Sequence, residues 1–157
     1  MAAPATRAPA VVADAVPPPG APLTVDHETE LSEDERAVLA AHRAFYAAFE
    51  AHDLDAMSDL WEHSDRSACV HPGWTLLRGW AAVGASWMAL FQGPQQQQFL
   101  LADEHVTVVG DAAWVTVDEN ILYPDGAATV SALNLFVRAP DGWRVIGHHG
   151  AIVEPRP

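Results

Sequence analysis

The order of hydrophobic and polar positions divides this chain into a helical first half and a β-patterned second half. Val38, His42, Phe45, Tyr46 and Phe49 recur at three- and four-residue spacing and define one face of a helix. Ser32 followed by Glu35 forms a capping box that starts it. Asp53 or Asp55 can cap a second, shorter helix whose apolar side is Leu54, Met57, Leu60 and Trp61, so the two form a hairpin. A short strand near Ala68 to His71 stops at Pro72-Gly73. A third helix starts near Gly79 and carries Trp80, Val83, Trp87 and Phe91 on one side, and the Gln95 to Gln98 run reads as a loop.

From Phe99 onward the period changes to two. Segments at roughly 99–109, 112–123, 128–139 and 143–153 are separated by Gly110-Asp111, Pro124-Asp125-Gly126 and Pro140-Asp141-Gly142, which are hairpin turn signals. Helices followed by an antiparallel meander predict an α+β domain whose sheet buries one face on the helices. The other face then offers itself to a partner subunit, and a homodimer through that outer face is the expected assembly. Residues 1–30 differ. They are rich in Ala and Pro, contain Pro17-Pro18-Pro19-Gly20 and show neither period, so they read as a disordered tail ahead of one domain over 31–157. The tail also lacks the uninterrupted apolar stretch of a signal peptide, and no later run reaches the length of a membrane span.

Composition narrows the classes of function. The 157 residues are 50% hydrophobic, enough for one core. The formal net charge of −13, with 8 basic residues that are all scattered arginines, repels phosphate backbones and anionic lipids, so nucleic-acid and membrane-surface roles are excluded. The single cysteine, Cys69, cannot form an intrachain disulfide, and a reducing cytoplasm fits it.

The order FYAAFEAHDLDAM, CVHPGW, LRGWAAVGASW and a meander ending in WRVIGHHGA resembles the nuclear-transport-factor-2-like superfamily, which includes ketosteroid isomerase and the SnoaL-like polyketide cyclases. The likeness runs from about Leu31 to Val153. It implies a cone-shaped fold in which a curved antiparallel sheet wraps a helical hairpin and a third helix around a pocket. Isomerases of that type hold a carboxylate base, a tyrosine and a protonated aspartate there. Alignment places Phe45 at the tyrosine position with Tyr46 beside it, His71 at the base and Asn134 at the aspartate. None matches in type, so steroid isomerase activity is not carried over.

The residues present still offer acid–base chemistry. His71 can take a proton from a carbon acid or water. Asn134 can donate to a developing oxyanion, or belong to a structural network. Strand alternation puts Trp114, Thr116, Asp118 and Asn120 on one face, opposite Val115, Val117, Glu119 and Ile121. If the first set lines the cavity, Asp118 can orient His71. In the last strand Val145, Gly147 and His149 share a face, and the family register points His149 inward and His148 outward. Phe45, Tyr46, Trp74, Trp87, Trp114 and Thr116 are the expected pocket lining. His71, His149 and Asp118 would make a two-histidine, one-carboxylate metal set if they converged, but no HxH, HExxH or Cys-rich spacing supports one, so no metal and no cofactor is expected. The expected function is binding of an apolar carbonyl-bearing or cyclic small molecule, with cofactor-free isomerisation, cyclisation, dehydration or hydrolysis as the chemistry. The competing reading is a non-catalytic ligand-binding or dimerising association module.

Overall fold

The computed structural model describes residues 30–94 and 96–154. Apart from Glu30, the expected tail over 1–30 lies outside the described residues. Among the described residues, helix α1 (Glu33–Ala51) begins as its capping box dictates. Ser32 Oγ accepts from Glu35 N–H at 3.2 Å and the Glu35 carboxylate accepts from Ser32 N–H at 2.7 Å. It ends at His52, whose left-handed backbone (φ 52°) lets its N–H reach back to the last turn. Asp53, not Asp55, caps α2 (Leu54–Leu60), accepting from Ala56 N–H at 2.9 Å. The chain then runs through β1 (Ala68–Val70), β2 (Leu77–Arg78) and α3 (Trp80–Phe91). Four long strands follow: β3 (Gln98–Val109), β4 (Ala112–Tyr123), β5 (Gly126–Ala139) and β6 (Gly142–Ile152). Each lies within two residues of its predicted bounds, because the Gly- and Pro-containing turns fix them.

The six strands form one open sheet in the order β2-β1-β6-β5-β4-β3. The meander is antiparallel, as the turns require. However, β1 pairs parallel to β6, with Ala68, Cys69 and Val70 opposite Gly147, His148 and His149, so the sheet is mixed. The two-residue β2, too short to carry a periodic signal, adds an antiparallel edge to β1. Among the described residues, three helices pack against the sheet and one another: α1 contacts β3, β4 and β6, and α3 contacts α2, β1 and β2.

Two irregularities set the faces of the sheet. Between Ala102 and His105 the β3/β4 register shifts, with Asp103 in left-handed backbone (φ 53°). Between β5 and β6, Leu135 pairs with Gly147 but Phe136 pairs with Val145, leaving Ile146 as an extra residue on β6. A side-chain period of two makes one inserted residue an inversion of everything beyond it. Val145 is therefore buried below the insertion, and His148 is buried above it. The core beneath joins Val38, Phe45, Met57, Trp61, Trp87, Val115, Phe136 and Val145, all at 2% exposure or less.

Candidate functional site

A polar cluster lies inside this apolar core, built from α1 and the inner faces of β4, β5 and β6. Glu119 shares its face with Val115, Val117 and Ile121 and is 2% exposed. Tyr46 Oη donates to Glu119 Oε1 at 2.6 Å. Asn134 Nδ2 donates to Tyr46 Oη at 3.0 Å and to His42 Nδ1 at 3.2 Å, which uses both of its amide hydrogens. Asn134 Oδ1 in turn accepts from His148 Nδ1 at 2.6 Å. These bonds assign the imidazole protons: His148 carries its hydrogen on Nδ1 and His42 on Nε2. His42 Nε2 faces Glu104 Oε1 at 3.4 Å. Such a chain keeps buried polar groups satisfied where each orphan would cost about 1–3 kcal/mol.

Burial dominates the proton equilibria. It pushes the Glu119 carboxyl up to about 7, against the opposing pull of the Tyr46 hydroxyl. It lowers His42 to about 4 and His148 to about 3, so both rings are neutral at pH 7. Tyr46 is raised far above the range of a free phenol by burial and the adjacent Glu119 carboxylate.

His71 follows β1 directly, where Pro72 ends the strand. Pro72 lies over Gly150, at which a Cβ would stand 3.1 Å from the proline Cγ and 3.0 Å from Val130 Cγ1, so a side chain there would crowd both. The Ser86 hydroxyl donates to Val83 O at 2.6 Å, and its oxygen therefore accepts from His71 Nε2–H at 2.9 Å. The lone pair of His71 is thereby left on Nδ1, with Cys69 Sγ at 3.8 Å. Burial lowers His71 to about 4 and raises the Cys69 thiol to about 12, which removes Cys69 as a thiolate nucleophile at neutral pH. The His71 ring centroid is 4.6 Å from Trp87, 5.1 Å from Trp74 and 6.2 Å from His148. Trp74 is 45% exposed, whereas His71 is 3% exposed.

The structure therefore brings His71, Asn134, Phe45, Tyr46 and Trp87 together on the inner side. It separates them from Asp118, His149, Thr116 and Trp114, which face outward. For β4 the reason is that the buried set is Val115, Val117, Glu119 and Ile121, the opposite of the set on which an inward Asp118 depended. For β6 the inserted Ile146 inverts the phase, so His148 points in and His149 out. His71, His149 and Asp118 consequently form no common metal set. Outside, Asp118 accepts from Ser131 Oγ at 2.7 Å, and with Asp103, His105, Thr116 and His149 it borders a depression of about 430 Å³. Sequence reasoning passed over Glu119, His148 and His42 as inner polar groups. The available signal was a carboxylate and an imidazole sitting in otherwise apolar periodic sets.

Comparison with known proteins places this architecture. Residues 38–155 match the model of the SnoaL-like domain. A proposed dehydratase of the NTF2-like family from Streptomyces avermitilis is 37% identical, superposes with a TM-score of 0.73, and is matched over 78% of this chain and 97% of its own. A proposed calcium/calmodulin-dependent protein kinase type II association domain from Thiobacillus denitrificans is 36% identical, with a TM-score of 0.65 over 74% of this chain and 94% of its own. The F-box protein SKIP8 of Arabidopsis thaliana is 26% identical over 118 residues, covering 75% of this chain. The chain spans about half the length of that curated relative. The cone of helices and mixed sheet, with its interior imidazoles and amide, belongs to the SnoaL-like domain family within the NTF2-like fold, a group that holds both enzymes and association modules.

Proposed function

We propose that the interior of the cone binds an uncharged, carbonyl-bearing or cyclic small molecule and that His71 acts on it as a base. The observation that carries this reading is the bonding of His71: Nε2–H is committed to Ser86, and Nδ1 keeps its lone pair in a ring held neutral by burial. Such a nitrogen takes a proton from a carbon beside a carbonyl, or from water, and contributes about 10²–10⁴-fold to rate. The imidazolium so formed keeps its bond to the Ser86 oxygen, whose own hydrogen stays on Val83 O. Asn134 positions His148 and Tyr46; its amide hydrogens are spent on Tyr46 and His42 and not on the ligand. The reaction classes this supports are cofactor-free isomerisation, cyclisation, dehydration and hydrolysis. The proposed dehydratase from Streptomyces avermitilis lends support to an enzymatic role. Beside this base is the exposed Trp74, which follows Gly73, where φ is 81° and an added Cβ would meet nothing within 4 Å.

The test is deuterium exchange beside the carbonyl of cyclic ketones in D₂O, followed by NMR. The wild-type chain accelerates exchange, and His71→Ala abolishes the acceleration while the melting temperature moves little. Wild-type-like exchange in that variant removes His71 from the chemistry.

A second reading concerns assembly. The outer sheet face exposes Leu100, Leu122, Leu133 and Leu135, between 36% and 58% each, and the Thiobacillus denitrificans relative is a proposed association domain. A homodimer through this face covers those leucines. The one cysteine, Cys69, is buried and unpaired, which suits the reducing cytoplasm we propose as its location. No helix among the described residues is long and apolar enough to cross a membrane.

A further inference from the structure

Resting on the interior-binding reading above, we propose that the indole N–H of Trp87 is the donor that recognises the ligand's oxygen, so that the site selects uncharged, oxygen-bearing rings over both hydrocarbons and carboxylates.

The first ground is the hydrogen bonding of the interior. Trp87 is 0% exposed and its Nε1 has no acceptor. A buried donor without a partner costs as much as a lost hydrogen bond, so such groups are uncommon and call for a partner that arrives later. The side-chain donors of the neighbouring polar cluster are occupied. Asn134 spends both amide hydrogens on Tyr46 and His42, His148 spends Nδ1–H on Asn134, Tyr46 spends its hydroxyl on Glu119, and His71 spends Nε2–H on Ser86. Among the described residues the other buried donors without a hydrogen-bond partner are His42 Nε2 and Trp61 Nε1. The first faces Glu104 Oε1 at 3.4 Å, and the second sits between Trp80 and Trp87, with ring centroids 6.2 and 6.4 Å away.

The second ground is position. The Trp87 ring stands nearly perpendicular to His71, at 86° and 4.6 Å between centroids, and 6.1 Å from His148. The indole that carries the unpaired N–H is thus in direct ring contact with the base. Phe45, Phe49 and Phe91 pack on the same indole with ring centroids at 5.4, 5.0 and 5.8 Å, so the unpaired N–H sits in an apolar, aromatic surround.

The third ground is charge. The chain has no lysine, and no arginine among the described residues is buried. A carboxylate entering this interior would meet neutral imidazoles and the Glu119 carboxyl with no cation to compensate its desolvation. A carbonyl or hydroxyl needs only a donor, and Trp87 supplies it.

The full chain, labelled with ¹⁵N, tests this through the indole N–H resonances of its 6 tryptophans. Cyclohexanone and 1-tetralone are titrated against methylenecyclohexane and tetralin, with cyclohexanecarboxylate as the charged probe. The ketones are expected to move the Trp87 indole proton downfield and to bind roughly tenfold tighter than their hydrocarbon partners, the worth of one good hydrogen bond. Cyclohexanecarboxylate should not bind. W87F should erase the ketone preference, and W61F should leave it intact. The resonance shift is read on the wild-type chain, so the outcome stands even where W87F folds poorly. Ketones that perturb the His71 ring without moving the Trp87 indole, or that keep their preference in W87F, overturn the assignment to Trp87 while leaving interior binding standing. If no probe perturbs any interior resonance at saturation, interior binding itself falls, and this proposal with it.

Discussion

The two faces of the sheet are made by adjacent residues with the same chemistry and opposite fates. Glu119 and Asp118 are sequence neighbours, as are His148 and His149. On the inner face Glu119 is 2% and His148 4% exposed, both hydrogen-bonded to side chains and both shifted in pKa by burial. On the outer face Asp118 pairs with Ser131, and His149 stands opposite the exposed Leu133. The difference is one of strand phase alone, which sets whether an ionisable group must find partners or can rely on water.

The strongest way to break this comparison is to remove the amide at the centre of the inner cluster. Asn134→Leu leaves the Tyr46, His42 and His148 groups short of partners, and chemical denaturation should show a loss of about 3 kcal/mol, several orphaned groups at about 1–3 kcal/mol each with partial relaxation. Asp118→Asn outside should change stability by less than about 0.5 kcal/mol. Equal effects would mean that the inner bonds contribute nothing that water does not. A smaller loss, about 1–2 kcal/mol, is expected for Tyr46→Phe, which takes the donor from Glu119; the carboxyl pKa should then climb further, readable by ¹³C NMR of labelled glutamate.

Acidity sharpens the contrast. His42 and His71 titrate at about 4 and His148 at about 3 when folded, against 6.5 in an open chain, so the unfolded state takes up protons that the folded state refuses. Their contribution is full above pH 6.5 and is lost as pH falls toward 4. Glu119 opposes this, since a carboxyl raised from 4.5 to about 7 favours the folded state at low pH and loses that benefit as pH rises to 7. Three groups against one give a melting temperature that falls from pH 7 to pH 4.5. Glu119→Gln should steepen the fall. The smallest expected effect concerns the outer face: Leu133→Arg should leave the melting profile of the monomer unchanged while weakening any dimer seen by sedimentation velocity. An unchanged sedimentation coefficient, with dimer retained, would place the assembly elsewhere.

What was legible in the sequence was local. Ser32 and Glu35 specify the start of α1 between themselves, and the Gly- and Pro-bearing turns bound the long strands within two residues. The long-range features were not. Parallel pairing of β1 with β6 joins segments separated by some of the longest stretches of the chain, and no local pattern encodes it. The inserted Ile146 is an ordinary apolar residue in an apolar strand, so the inversion that exchanges His148 for His149 is visible only once Leu135 and Phe136 find their partners. The phase of β4 was readable, because Glu119 lies in the more apolar set. A carboxylate among valines argues either for an outward face or for a buried partner, and Tyr46 on α1 is that partner.

The pairing of β1 with β6 also dictates when the interior can exist. His71 rides on a three-residue strand whose long neighbour is the last strand of the sheet. A nascent chain halted after β5 already holds both helices of the hairpin and three strands of the meander, yet β1 has no edge to dock on and His71 no fixed bearing. Ribosomal synthesis must release residues through Ile152 before the base, its serine and the two tryptophans can converge. Maturation of the interior is thus a late, high-contact-order event, slower than the collapse of the helices that precede it.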